Sequence, residues 1–145
     1  MRKFLFLLSL IILVSSCGKK MEEVVLETWP DGKAKRVQYF LGEGTERYVA
    51  KERFYHEDGK LKMEGSYNKE GKRDGKWTYW YQDGKKWVDG QYSNGEWDKK
   101  YTNWHENGQK HYEGMYEKGK RKGIWKFYDE NGKLVKEVDY DKEQQ

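Results

Sequence analysis

The sequence predicts an all-β fold: an elongated antiparallel meander of stacked β-hairpins that follows an N-terminal leader. Three observations predict it. Asp-Gly or Asn-Gly recurs at Asp31-Gly32, Asp58-Gly59, Asp83-Gly84, Asn107-Gly108 and Asn131-Gly132, at spacings of 27, 25, 24 and 24 residues, and a fixed period of that size marks a repeat architecture. Aromatic residues keep fixed offsets from these dipeptides: Tyr55, Trp80, Trp104 and Tyr128 stand three before, and Phe40, Tyr67, Tyr92, Tyr116 and Tyr140 stand eight after. Beyond the leader there are only four Leu, one Ile, seven Val and three Phe, against seven Trp and twelve Tyr. Each ring buries a large area, so the expectation is a thin sheet held by aromatic ladders, with no globular centre.

The elements follow in order. Residues 1–16 read as a signal peptide, with Arg2 and Lys3 preceding an apolar run from Phe4 to Val14 broken only by Ser9. That run is about half the roughly 20 residues needed to span a bilayer core, so a permanent transmembrane helix fits less well. It ends in "LVSSC", an aliphatic residue and two small ones before Cys17, the only cysteine, which excludes an internal disulfide. This ending resembles the lipobox of bacterial lipoproteins. The resemblance implies cleavage before Cys17, acylation there, and residues 17–23 as lipidated cysteine and tether; several acyl chains make a stable anchor. Gly18, not Asp, implies delivery to the outer membrane of the bacterial envelope where the cell has one. Arg2 and Lys3 leave with the leader, so 29 Lys plus Arg against 25 Asp plus Glu becomes a nearly neutral mature chain. No basic footprint for nucleic acid remains.

Residues 24–140 form the expected repeat domain and 141–145 a tail. Asp-Gly and Asn-Gly are strong hairpin signals because a type I′ turn needs positive φ at both central residues. The expected turns are therefore Asp58-Gly59, Asp83-Gly84, Asn107-Gly108 and Asn131-Gly132, each a two-residue loop. Counting outward places Trp77 opposite Gly90, Tyr79 opposite Val88, Thr78 opposite Asp89 and Trp80 opposite Trp87. It also places Arg53 opposite Glu64 and Lys126 opposite Glu137, pairs of opposite charge in two units. A bulky ring across from glycine covers bare backbone, so Trp77 is expected over Gly90 and Tyr101 over Gly114. Second turns at Gly71-Lys72, Asn94-Gly95 and Lys118–Lys120 return the chain, giving about ten short strands in which each unit contacts its neighbours.

The segments "GKWTYWYQDGKKWVDGQY" (Gly75 to Tyr92) and "GIWKFYDENGKLVKEVDY" (Gly123 to Tyr140) resemble the bacterial variant of the MORN repeat. The resemblance covers residues 24–140 and implies an elongated sheet of stacked hairpins. It also brings an antitoxin-like label that proteins of this variant often carry. The unit around Asp31 departs most, since residues 41–51 are longer than the equivalent linker elsewhere and lack the Gly-x-Trp entry.

Catalytic chemistry finds no constellation, and no cofactor or metal is expected. His56 and His105 stand two before their turn dipeptides, where other units have Tyr81 and Asp129, and read as a tolerant surface position. In the counted register His105 and His111 point to opposite faces and so do not pair as metal ligands. Asp83 with Asp89 and Glu113 with Glu137 recur as turn and cross-strand charges, not as one site with two environments. What remains is surface. Trp80, Trp87, Trp104, His111 and Tyr128 are expected to line one face, opposite Trp77 and Trp125, and that face is the candidate binding surface unless curling makes both ladders internal packing. The expected function is a membrane-anchored envelope lipoprotein serving as a protein-interaction or scaffold module. The alternatives are a carbohydrate-binding module that stacks glycan on exposed Trp and Tyr, and an antitoxin or immunity partner of a toxin.

Overall fold

The computed structural model describes residues 21–142; the leader, Cys17 and residues 143–145 lie outside that range. Ten strands make one sheet in sequence order, every neighbouring pair antiparallel. They are β1 (Glu22–Thr28), β2 (Ala34–Leu41), β3 (Tyr48–Tyr55), β4 (Leu61–Tyr67), β5 (Arg73–Trp80), β6 (Lys86–Ser93), β7 (Glu96–Trp104), β8 (Lys110–Glu117), β9 (Lys120–Tyr128) and β10 (Leu134–Asp139). The expected meander is therefore the fold. It starts two residues earlier than expected, at Glu22. The long link between β2 and β3 holds a short 3-10 turn, Gly44–Glu46, and the Asp31 unit makes the same kind of hairpin as the others.

The turns differ from the two-residue expectation. In the Asp83 hairpin the Gly84 N–H donates to the Tyr81 carbonyl at 3.0 Å and the Tyr81 N–H to the Lys85 carbonyl at 2.9 Å, which makes a three-residue loop, Gln82 to Gly84. Gly84 alone takes positive φ, at 93°, the αL position of a type I turn closed by a bulge. Asp83 serves as an acceptor instead: its Oδ1 takes the Lys85 N–H at 2.9 Å. Asp31, Asp58 and Asn107 do the same for the residue two further on, at 3.0, 3.0 and 2.9 Å. Asp and Asn are thus selected here for a side-chain oxygen that mimics a backbone turn. Two-residue turns with both residues at positive φ do occur, at Asn94-Gly95 (50° and 94°) and Lys118-Gly119 (48° and 78°), on the opposite edge.

The extra loop residue shifts the register once and then restores it. Trp80 pairs with Lys86, Trp87 bulges out, and Tyr79 pairs with Val88; from there Thr78 meets Asp89 and Trp77 meets Gly90. The expected Trp80–Trp87 pair does not form. The same shift follows Tyr55, Trp104 and Tyr128, while Arg53–Glu64 and Lys126–Glu137 stand opposite as counted.

One face of this single sheet acts as a core. Trp77 and Trp125 are fully buried, and Val88, Tyr101 and Val138 are nearly so. Each indole lies flat on a glycine of the preceding strand: a Cβ on Gly65 would fall inside the Trp77 ring, and one on Gly114 inside the Trp125 ring. Trp77 therefore covers Gly65 rather than Gly90, and Trp125, not Tyr101, covers Gly114. A residue in the middle of a sheet pairs with a strand on both sides, so counting within one hairpin does not tell which way its ring leans. Gly90 is covered by Trp97, 2.6 Å from where a Cβ would sit, with Tyr101 at 3.1 Å.

The outer side of each buried ring is closed as well. The Arg73 guanidinium sits 4.3 Å above Trp77 and the Arg121 guanidinium 4.6 Å above Trp125, a cation–π geometry. In β7 the matching positions carry Trp97 and Tyr101, ring centroids 4.9 Å apart and edge to face. The Trp77 and Trp125 N–H groups donate to the Ser66 and Met115 carbonyls at 2.9 and 3.0 Å, so the rings are buried without an orphaned donor. In β3 the equivalent position is Glu52, 2% exposed. Its carboxylate accepts from Arg36, Gln38 and Tyr67 at 2.8, 2.7 and 2.8 Å, which is how a buried charge is tolerated.

Candidate functional site

The bulge decides which side chains share a face. Trp87, re-aimed by it, packs edge to face with Tyr79 at 6.1 Å and beside Tyr81 at 6.0 Å, on the aromatic face. His111 is the bulged residue of the next hairpin and lies against Tyr112 at 4.9 Å on that same face. Trp80, Trp104 and Tyr128 lie on the charged face. There the Lys86 ammonium stands 5.8 Å over Trp104, and the Tyr128 hydroxyl donates to Glu113 at 2.9 Å. The five side chains expected on one face are therefore divided between two.

The histidines also differ from expectation. His105 and His111 stack at 4.1 Å between centroids instead of pointing apart. His111 Nδ1 is 3.1 Å from Asn103 Oδ1. Among the described residues, no three His, Cys, Asp or Glu side chains converge as a metal-binding group. Burial holds the His111 imidazole below its ordinary value of 6.5, and the neighbouring His105 adds to the effect.

The position two before the turn dipeptide is not a tolerant one either. His56 Nε2 is 3.2 Å from the Trp80 carbonyl, the Tyr81 hydroxyl donates to the Trp104 carbonyl at 2.7 Å, and His105 Nε2 is 3.1 Å from the Tyr128 carbonyl. Each unit thus reaches the backbone of the next. A second row follows the turns themselves, where Lys60, Lys85 and Asn107 donate to the Gln82, Glu106 and Glu130 carbonyls at 3.2, 3.0 and 2.6 Å. Asp129 holds this position in β9–β10, the last hairpin described, and its carboxylate accepts the Asn131 and Lys133 N–H groups. At the other end Trp29 holds the equivalent position, and its buried indole N–H has no partner.

Two concavities open on the aromatic face. One of about 380 Å³ is lined by Tyr79, Trp87, Trp97, Tyr101, Asn103 and His111 among others, and the adjoining one of about 420 Å³ shares Trp87, Asn103 and His111 and runs to Glu106, Asn107 and Glu130. Burial raises the phenols of Tyr79 and Tyr101 far above their ordinary value, so these hydroxyls stay protonated and able to donate. Across the sheet, a lysine-rich hollow of about 300 Å³ surrounds Trp104, with Lys76 and Lys86 both on Asp89 at 3.2 and 3.0 Å.

Residues 48–69, 73–94 and 121–142 each match the MORN repeat variant. The chain carries MORN-variant repeats. Each matched MORN unit is one hairpin of the sheet: β3–β4, β5–β6 and β9–β10. The hairpins β1–β2 and β7–β8 continue the same architecture outside the matched windows. In β7–β8 the Arg and Trp of the neighbouring MORN units are replaced by Trp97 and Tyr101, and β1–β2 precedes the long link. Neither the curated proteins nor the solved structures contain a match to the chain.

Sequence reasoning missed Trp97, Asn103 and the buried Glu52. A signal for Trp97 was present: Arg73, Trp97 and Arg121 recur every 24 residues, in step with Trp77, Tyr101 and Trp125. The exchange of Arg over Trp for Trp over Tyr marks them as one packing unit.

Proposed function

We propose that the chain is a lipid-anchored interaction module of a bacterial envelope, held by acylated Cys17 and offering its MORN-repeat sheet to a protein partner, without enzymatic activity of its own. The observation that carries this reading is the join of a lipobox-like leader to a sheet whose units are fixed to one another by side-chain-to-carbonyl hydrogen bonds. Such a sheet loses little conformational freedom on binding, which favours use as a pre-organised surface.

Metabolic labelling with an alkyne palmitate tests the anchor. The parent chain takes up label and fractionates with membranes, and Cys17→Ser loses both; an unlabelled parent chain contradicts the reading. Crosslinking in the native envelope then tests the module. One recurrent partner is expected, whereas recovery of lipoprotein-handling chaperones alone counts against it.

A further inference from the structure

We infer that the trough around Trp87 on the aromatic face is a binding site for an uncharged glycan, with the Trp87 indole as the plate on which a pyranose ring stacks. The inference goes beyond the scaffold reading, because a crosslinked protein partner would support that reading whether or not a sugar binds.

The first ground is exposure. Trp77 and Trp125 are fully buried, while Trp87 is 45% exposed and is the one aromatic among the exposed large hydrophobic residues described. The remaining exposed ones are aliphatic or Met, at Met21, Leu26, Met115, Ile124, Leu134 and Val135, and none of them lines either half of the trough. An occupant here meets rings, not an aliphatic groove of the kind that receives apolar peptide side chains. A bulge that turns a side chain out of its ladder is a common device beside binding sites, and it is what places both Trp87 and His111 over the trough.

The second ground is the chemistry of the lining. The ring-rich half contributes Tyr79, Trp97, Tyr101 and Tyr112, and the polar half contributes Asn103, Asn107, His105 and His111 with the carboxylates of Glu106 and Glu130. A pyranose has an apolar C–H face to lie on an indole and hydroxyls around its rim that both donate and accept. Amide, imidazole and carboxylate groups at one end of an aromatic plate match that division.

The third ground is charge. The chain has 29 Lys plus Arg, yet neither half of the trough is lined by one, and its only ionised groups are the two carboxylates. Uronic, sialic and phosphorylated glycans would meet repulsion from these carboxylates, since the Lys85 ammonium at the rim, on the Glu106 carbonyl, is already paired with Asp83 at 2.7 Å. On the opposite face Trp104 has the reverse surroundings, overlain by Lys86 and ringed by Lys76, Lys100 and Lys110. The stacking plate is therefore Trp87 and not Trp104.

The test uses the full chain purified in detergent, with cellohexaose, maltohexaose and chitohexaose as neutral probes, polygalacturonate as an anionic one and tetramethylammonium as a cationic one. Binding is read by tryptophan fluorescence and by saturation-transfer NMR. At least one neutral oligosaccharide is expected to bind. Trp87→Ala is expected to weaken it about tenfold or more, the scale of a lost stacking plate, while Trp104→Ala leaves it unchanged. Near-UV circular dichroism checks that Trp87→Ala keeps the packed rings. Should that variant lose them, His111→Ala, expected to weaken binding several-fold, decides in its place. The inference is overturned if no neutral probe binds, if only the charged probes bind, if Trp87→Ala with its packed rings intact binds as the parent does, or if His111→Ala, when it decides, does.

Discussion

Glycines that receive a ring are the most constrained positions of the sheet. Gly65 and Gly114 have ordinary strand φ, so what forbids a side chain there is the indole of Trp77 or Trp125 lying on the backbone. Gly65→Ala and Gly114→Ala are expected to destabilise the fold by about 1–3 kcal/mol, as overpacking of a tight interior does, read as a lower urea midpoint. At His111 the argument concerns protons. Its imidazole lies below the ordinary 6.5 because burial and His105 penalise the charged form, so the unfolded chain binds that proton more readily. The stability contributed by neutral His111 is complete above that value and falls as the pH drops from about 6.5 through the lower folded value. His111→Asn is expected to flatten the pH dependence of the urea midpoint below about pH 6.5 relative to the parent.

At the scale of the element, a hairpin here depends on an acceptor, a glycine and a donor to the next unit. Asp83→Ala removes the oxygen that takes the Lys85 N–H, and Tyr81→Phe removes the hydroxyl that reaches the Trp104 carbonyl. Each is expected to cost about 0.5–1.5 kcal/mol by chemical denaturation. Because the two bonds lie in neighbouring positions of one turn, the double variant reads their coupling. The strands themselves were legible in the sequence, since the dipeptides mark the chain reversals and the charge pairs Arg53–Glu64 and Lys126–Glu137 fix most of the register. What was not legible was loop length. Asp-Gly fits both a two-residue turn and a type I turn ending in an αL glycine, and only the second displaces a residue. That single residue moved Trp87 and His111 to the other face and turned a five-residue surface into two surfaces. The displaced residue always stands three after the turn glycine, as Lys62, Trp87, His111 and Val135, so the pattern is visible in the sequence once the loop type is known.

Over the whole molecule, ten strands in one layer obtain a core by using one face as the interior. Rings, guanidinium groups and glycines replace the second layer that most sheets need. This choice follows from composition: with few aliphatic residues, the available burial lies in Trp and Tyr. Phenols buried on either face have a consequence at high pH. Burial pushes the Tyr39 phenol up to about 12, and burial with the Glu52 carboxylate does the same for Tyr67. An acid whose folded value is raised contributes stability that is complete below its unfolded value of about 10 and is lost as the pH rises through 12. Ultraviolet titration is therefore expected to show a class of tyrosines that ionise only with unfolding. The burial of the rings themselves is read most directly by hydrogen exchange of the seven indole N–H groups. Trp77 and Trp125, fully buried and bonded to the Ser66 and Met115 carbonyls, are expected to exchange slowest, and Trp87 among the fastest. Exchange of Trp77 and Trp125 at the rate of a free indole would show that the aromatic face is not an interior and would contradict the sheet described here.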